Sequence, residues 1–439
     1  MKVTLDFPDA DALRSGGDVT VDDLPPFALA RREREQSSVE DLGATTRRAI
    51  DSIDAFDSLP SGAEIGITAG SRGIHDMPDL LAVTVDELQS RGYEPFIFPA
   101  MGSHGGATAD GQREMLAALG ITPDSMGCEI RSSMAVEAVG EDDLGRTVYA
   151  ARDALEADAV LLANRVKVHT DFHGRIESGL SKMAVIGLGK HRGAESLHNA
   201  AIATDFATVI ADRTDVLLET TPIVGGIALI ENADHRAAHV EGVNAEDIPS
   251  REPELLDIAR EYFPQLPVDD LDLLIVDELG KDHSGTGMDT NVLGRRYFHG
   301  EDEPESPSIT RVFARSVSEA SHGNAIGIGL ADYLRRDILE EIDFEDMYIN
   351  IITSGEPRRA NVPFVVPDDA TALVVACSMT GVAAPSELRV ARISSTMEPD
   401  TLHVSEPVAD ELRKRDDVHV GPLEPLSFED GDLPRNPYR

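Results

Sequence analysis

Residues 63–100 read AEIGITAGSRGIHDMPDLLAVTVDELQSRGYEPFIFPA, and this stretch decides the fold class. The apolar run Ala63–Thr68 reads as one strand and Pro95–Ala100 as the next, while Pro78–Arg91 spaces its apolar residues as an amphipathic helix. Strand, helix, strand in so short a span is the unit of a parallel sheet, because parallel neighbours need a crossover between them.

Outward from this unit the alternation continues, with Gly111–Leu119 as helix and Ala159–Ala163 as strand. After an amphipathic helix at Pro253–Tyr262 and the proline-bearing stretch FPQLPVDD, Leu271–Val276 opens a second cycle. At 439 residues the chain exceeds what one core usually organises. The expectation is a two-lobed α/β protein: a parallel-sheet N-terminal catalytic domain over residues 1–265, a smaller α/β C-terminal domain over 266–439, and an active site in the cleft. The acidic loop His299–Ser308 and the tail after Pro422 read as surface segments, and no repeat is visible.

The 39 basic and 80 acidic residues give a formal net charge of −41, spread along the whole chain. Such a field repels nucleic acid and anionic membranes, which removes both as partners. A hydrophobic content of 41% together with the strand-like runs argues for a folded chain whose acid lies on the surface. Only six lysines occur, against 33 arginines. An acid-rich, lysine-poor surface suits concentrated intracellular salt, where screening removes self-repulsion, so the reading is halophilic.

No apolar run reaches the roughly 20 residues of a membrane span, and the start MKVTLDFPDADAL lacks a basic segment followed by an apolar one. A cytoplasmic location is expected. Cys128 and Cys377 stand far apart without ligand spacing and read as small buried hydrophobes.

In open parallel sheets ligands bind beyond the carboxyl ends of the strands, where loops converge and helix N-termini point at the ligand. Three candidates sit in such loops: Arg72 in TAGSRG, His104 in MGSHGGAT and His169 in ANRVKVHTDFHG. Alone, each has a bland reading as an ion pair or a satisfied polar residue; together they share one crest. Gly102, Gly105 and Gly106 would let backbone approach a ligand and adopt positive φ.

The densest cluster, residues 169–200 (HTDFHGRIESGLSKMAVIGLGKHRGAESLHNA), holds four of the 13 histidines and two of the six lysines. Lysine can lose its proton when desolvated and act as a nucleophile, which arginine cannot. Lys182, flanked by the apolar run Met183–Leu188, is the candidate. His198, on a helix expected from Ala194, can ligate a borderline metal. One histidine is too few for a site made of protein alone, so either a metal arrives inside an organic cofactor or none is bound.

On these residues the chain resembles the nickel-dependent lactate racemase family, over most of its length but with specific motifs mainly in residues 60–200. The resemblance implies a nickel-pincer nucleotide covalently attached to Lys182, His198 as the nickel ligand, and His104 and His169 as catalytic acid/base groups. Arg72 would grip a substrate carboxylate. It further implies an isomerase, a racemase or epimerase that moves a hydride and a proton on a small-molecule 2-hydroxy acid, and cofactor-biosynthesis enzymes as partners. Two motifs depart from the family pattern. Its DxTRP-like motif appears as AGSRG, with Ala69 for the aspartate and Gly73 for the proline, and its GxHR-like motif has Gly105 after His104. Both departures point away from lactate itself.

Two other readings keep the same residues. One is a nickel-free lyase or other hydroxy-acid enzyme that uses Lys182 as a Schiff-base or phosphate-binding lysine. The other is a non-catalytic nucleotide or metallocofactor carrier with Lys182, Lys190 and Arg192 as phosphate contacts.

Overall fold

The computed structural model describes residues 6–34, 36–71, 73–201, 204–435 and 438, without the side chains of His198, Asn199, Ala201, Thr353 and Ser354. In chain order the strands are β1 (Phe27–Arg32), β2 (Glu64–Ala69), β3 (Glu94–Pro99), β4 (Glu129–Ile130), β5 (Val136–Glu141), β6 (Thr147–Ala151), β7 (Ala159–Arg165) and β8 (Ile223–Glu231). They continue as β9 (Ala237–Asn244), β10 (Asp270–Val276), β11 (Ser308–Ala314), β12 (Tyr333–Arg335), β13 (Phe364–Val366), β14 (Val390–Ile393), β15 (Thr401–Ser405) and β16 (Val418–Val420). The protein is α/β, with two mixed, mostly parallel sheets. No helix among the described residues is long and apolar enough to cross a membrane.

One compact unit is Gln36–Phe263. Its sheet runs β4-β3-β2-β7-β8-β9, parallel throughout except for β9, which returns antiparallel to β8. The helix Met77–Ser90 makes the β2-to-β3 crossover that the sequence predicts. It buries Leu80, Leu81, Val85 and Leu88 on a core with Ile65, Ile67 and Ile97. Gly66 in β2 lies under the rings of Phe96 and Phe98, where a Cβ would come within 3.0 Å of each. From β2 the chain moves to β3 on one side and later to β7 on the other, so the strand order reverses between β2 and β7. At that reversal the carboxyl-end loops part and leave a crevice, here a hollow lined by Gly70, Ile74, Met77, Ala163 and Asn164 among others.

The other unit joins Met1–Glu35 to Pro264–Arg439. Its eight-stranded sheet runs β13-β12-β11-β10-β14-β15-β1-β16, with the first five strands parallel. This corrects the expected assignment of the first residues to the N-terminal domain. β1 lies between β15 and β16, antiparallel to both, with Ala30 opposite Leu402 and Val420. The pairing satisfies both edges of β1 and buries Phe27 and Ala30. Nothing in the local sequence of β1 encodes a partner so far along the chain.

The tail after Pro422 is likewise more than a surface segment. Leu433 is buried in this unit's core, and its N–H donates to Asp369 Oδ2 at 2.8 Å. Arg392 Nη2 donates to Pro434 O at 2.9 Å and Tyr438 Oη to Asp277 Oδ2 at 3.0 Å. Cys377 is buried, and burial pushes its thiol up to about 11; Cys128 is only partly buried, short of the expectation.

Candidate functional site

The loops after β2, β3 and β7 carry the sequence candidates, and these strands are adjacent and parallel. His104 and His169 therefore stand on the same crest of one sheet. Arg72, the third candidate, lies outside the described residues. Its neighbour Ser71 is described, and Ser71 Oγ and His104 Nδ1 share a short hydrogen bond that ties the β2 loop to the β3 loop.

His104 is exposed at the head of a glycine turn in which Gly102, Gly105 and Gly106 all adopt positive φ. Gly105 admits no side chain, since a Cβ would come within 2.6 Å of Gln112 N. The fully buried Gln112 fixes the turn from below: its Nε2 donates to Gly102 O at 3.0 Å and to His104 O at 3.2 Å.

His169 is held on three sides. Its ring stacks on Phe172 at 4.4 Å between centroids, and Phe172 stacks in turn on Phe206 at 5.0 Å. Its backbone N–H donates to Glu177 Oε2 at 2.7 Å. The Asp171 N–H donates to His169 Nδ1 at 3.0 Å, so the neutral imidazole carries its proton on Nε2. Glu177 is itself buried and receives Arg260 Nη2 at 3.0 Å, which compensates its charge.

Lys182 ends the short helix Leu180–Lys182 and leads directly into a π-helical turn, Met183–Leu188. This turn lies against the crest. A Cβ on Gly70 would meet Met183 Cε at 3.4 Å, one on Gly102 would meet Ile186 Cγ2 at 3.0 Å, and one on Gly187 would meet Ala100 O at 2.9 Å. From the β7 side, Asn164 Nδ2 donates to Gly179 O at 2.7 Å, and Lys167 pairs with Ser178 through the backbone. The lysine segment thus touches the carboxyl ends of β2, β3 and β7 together. Lys182 is half-buried.

The next helix, Lys190–Ala201, carries His198 and starts four residues earlier than the expected Ala194. The His198 side chain is outside the description. Lys190, a candidate phosphate contact in the carrier reading, is fully buried, with Nζ donating to Pro99 O at the end of β3. Burial lowers its pKa to about 8, partly offset by Asp153. A buried amine bonded to a carbonyl is a structural tie, so the carrier reading loses one of its three contacts.

Sequence reasoning passed over Ser71, although it stands inside the quoted TAGSRG, and gave Asn164 and Glu177 no role. It had no signal for Glu252, which sits in an ordinary amphipathic pattern, REPELLD. Among the described residues no three His, Cys, Asp or Glu side chains gather as metal ligands.

Fold and site together define an α/β protein with a histidine- and lysine-bearing crest beyond the ends of parallel strands. No protein-family model matches the chain, and no curated protein matches it. Among solved structures it is similar to the lactate racemase apoprotein from Thermoanaerobacterium thermosaccharolyticum, with 12% sequence identity and a TM-score of 0.46 over 87% of this chain and 96% of that one.

Proposed function

We propose that this chain is a racemase or epimerase of a 2-hydroxy acid, an isomerase that works with a nickel-pincer nucleotide carried on Lys182. The observation that supports it most is the seating of the Lys182 segment against the ends of β2, β3 and β7, whose loops bear Ser71, His104 and His169. The donor set suits that group. A half-buried lysine offers one nitrogen for covalent attachment, and His198, on the helix that follows, offers one borderline ligand to a metal that brings its other donors with it. When bound, the cofactor supplies a hydride acceptor.

The chain's own residues then bind, orient and move protons. Arg72 grips the substrate carboxylate in this reading. His169, neutral with its proton on Nε2, is a donor toward the substrate oxygen. His104 differs, because the Ser71 hydroxyl can either give or take a proton at Nδ1 and so leaves His104 Nε2 able to act as base or acid. An inversion needs a proton acceptor facing the hydroxyl of each enantiomer, so His169 hydrogen-bonds the substrate oxygen in the tautomer that the Asp171 N–H selects and takes a proton at Nε2 only in the other tautomer, which gives up that bond. The partners in this reading are a small 2-hydroxy acid and the enzymes that make the cofactor, within a salt-rich cytoplasm.

The test is intact mass and nickel content of protein from a salt-adapted host that also makes the cofactor, beside Lys182→Ala, with chiral chromatography of 2-hydroxy acids. The expected result is a mass excess with nickel and interconversion of enantiomers, all lost in the variant. An unmodified, nickel-free protein, or a Lys182→Ala variant with full activity, sinks the reading.

A further inference from the structure

The helix Ile248–Tyr262 sends one carboxylate into the interior. Glu252 is 1% exposed, and its Oε2 accepts the Ser181 N–H at 2.8 Å and the Ser181 hydroxyl at 2.7 Å. Its Oε1 is buried and has no hydrogen-bond partner among the described residues. Gly179 makes the room for it, because a Cβ there would lie 2.2 Å from Oε1.

Burying a carboxylate without a cation is expensive, and a peptide N–H at a helix start could be capped more cheaply by a neighbouring Ser or Asp. The carboxylate is instead spent on the residue next to Lys182. With Asn164 holding the Gly179 carbonyl, the turn that carries Lys182 is pinned at positions 179 and 181 from two different elements.

β8, β9, the turn Leu180–Lys182 and the helix Phe206–Thr220 all pack against the Glu252 helix. Their charged and titratable residues are Lys182 on the turn, Glu231, His239 and Glu241 on the strands, and Asp212, Arg213, Asp215 and Glu219 on the helix. Burial raises the pKa of Glu252 to about 7, against the two Ser181 bonds, which lower it.

We propose that Glu252 is a positioning residue for Lys182: its buried carboxyl clamps the Ser181 peptide and hydroxyl and so sets how the Lys182 amine is presented at the crest. The proposal rests on the reading of Lys182 as the working lysine, but its test does not require the cofactor. Full-length protein made without the cofactor enzymes is trace-acetylated with acetic anhydride across a pH series in high salt, and each lysine is read by peptide mass spectrometry. The exposed Lys414 serves as internal reference.

Glu252→Leu removes both bonds to Ser181 and is expected to shift Lys182 reactivity at fixed pH by about threefold or more, half a pKa unit, while Lys414 is unchanged; Glu252→Gln, whose amide oxygen can accept the same two bonds, keeps Lys182 closer to native. A Lys182 profile identical in Glu252→Leu and native protein overturns the proposal. Should Glu252→Leu not fold, Ser181→Ala removes one of the two bonds, and an unchanged Lys182 profile there overturns it equally. If the profile shifts but the co-produced protein holds no nickel and turns over nothing, the racemase reading fails and the clamp stands; turnover with an unshifted profile sinks the clamp alone.

Discussion

Ser71 Oγ and His104 Nδ1 share a hydrogen bond across the ends of two adjacent parallel strands, β2 and β3. The contact joins a residue next to Arg72 in sequence to a candidate acid/base histidine and ties the two loops at that point. Ser71→Ala removes the partner that orients the imidazole and is expected to lower turnover by about tenfold, a fraction of the 10²–10⁴ that acid/base groups typically contribute. Ser71→Thr, which keeps the hydroxyl, should retain most of it. Rates of enantiomer interconversion in the two variants check this, and equal rates would remove Ser71 from the site.

Phe172 is sandwiched between His169 and Phe206 and is 1% exposed. Phe172→Ala opens a cavity on one side and frees the histidine on the other. The expected loss is about 3–5 kcal/mol of stability, with turnover falling further than Phe172→Leu causes. Denaturant unfolding in high salt measures the first, and a Phe172→Ala protein as stable as the parent would show that the aromatic stack does not bear on the fold.

Lys190 is a buried amine whose pKa falls from 10.5 to about 8. The sign follows from linkage. The unfolded chain holds the proton up to about 10.5 while the folded chain releases it near 8, so stability is greatest above the unfolded value and is lost as pH falls through this window. Native protein should therefore gain thermal stability between pH 8 and 10.5 relative to Lys190→Met, in which the slope is flatter. Parallel melting curves across that range decide it.

The formal charge of −41 predicts a strong salt dependence. Between about 0.15 M and about 1 M salt the screening length falls from about 8 Å to about 3 Å, and repulsion among acidic side chains falls with it. The melting temperature should rise steadily with KCl over this range. A flat response would mean that ion pairs such as Arg131 with Glu64 and Arg251 with Glu241 already neutralise the surface where it matters.

Much of the first unit was legible. The run Ala63–Thr68 became Glu64–Ala69, Pro78–Arg91 became Met77–Ser90 and Pro95–Ala100 became Glu94–Pro99. Period-two and period-3.6 patterns report which face of an element is buried, and that is a local property. His104 and His169 fell on one crest for a topological reason, since β2, β3 and β7 are parallel neighbours and their following loops emerge on the same side. Ser71 was in view but unread, because a serine in a glycine-rich loop has no local feature that names its partner.

The sequence by itself determined the alternation of strand and helix, the acidic character of the surface, and the loops in which Arg72, His104 and His169 must lie. Only the tertiary structure decided that β1 joins β15 and β16, that Lys190 is buried while Lys182 stands at the crest, and that Glu252 reaches Ser181. The physical reason is range: periodicity and turn chemistry act over a few residues, whereas strand pairing, desolvation and hydrogen bonding between distant segments depend on which surfaces the folded chain brings together.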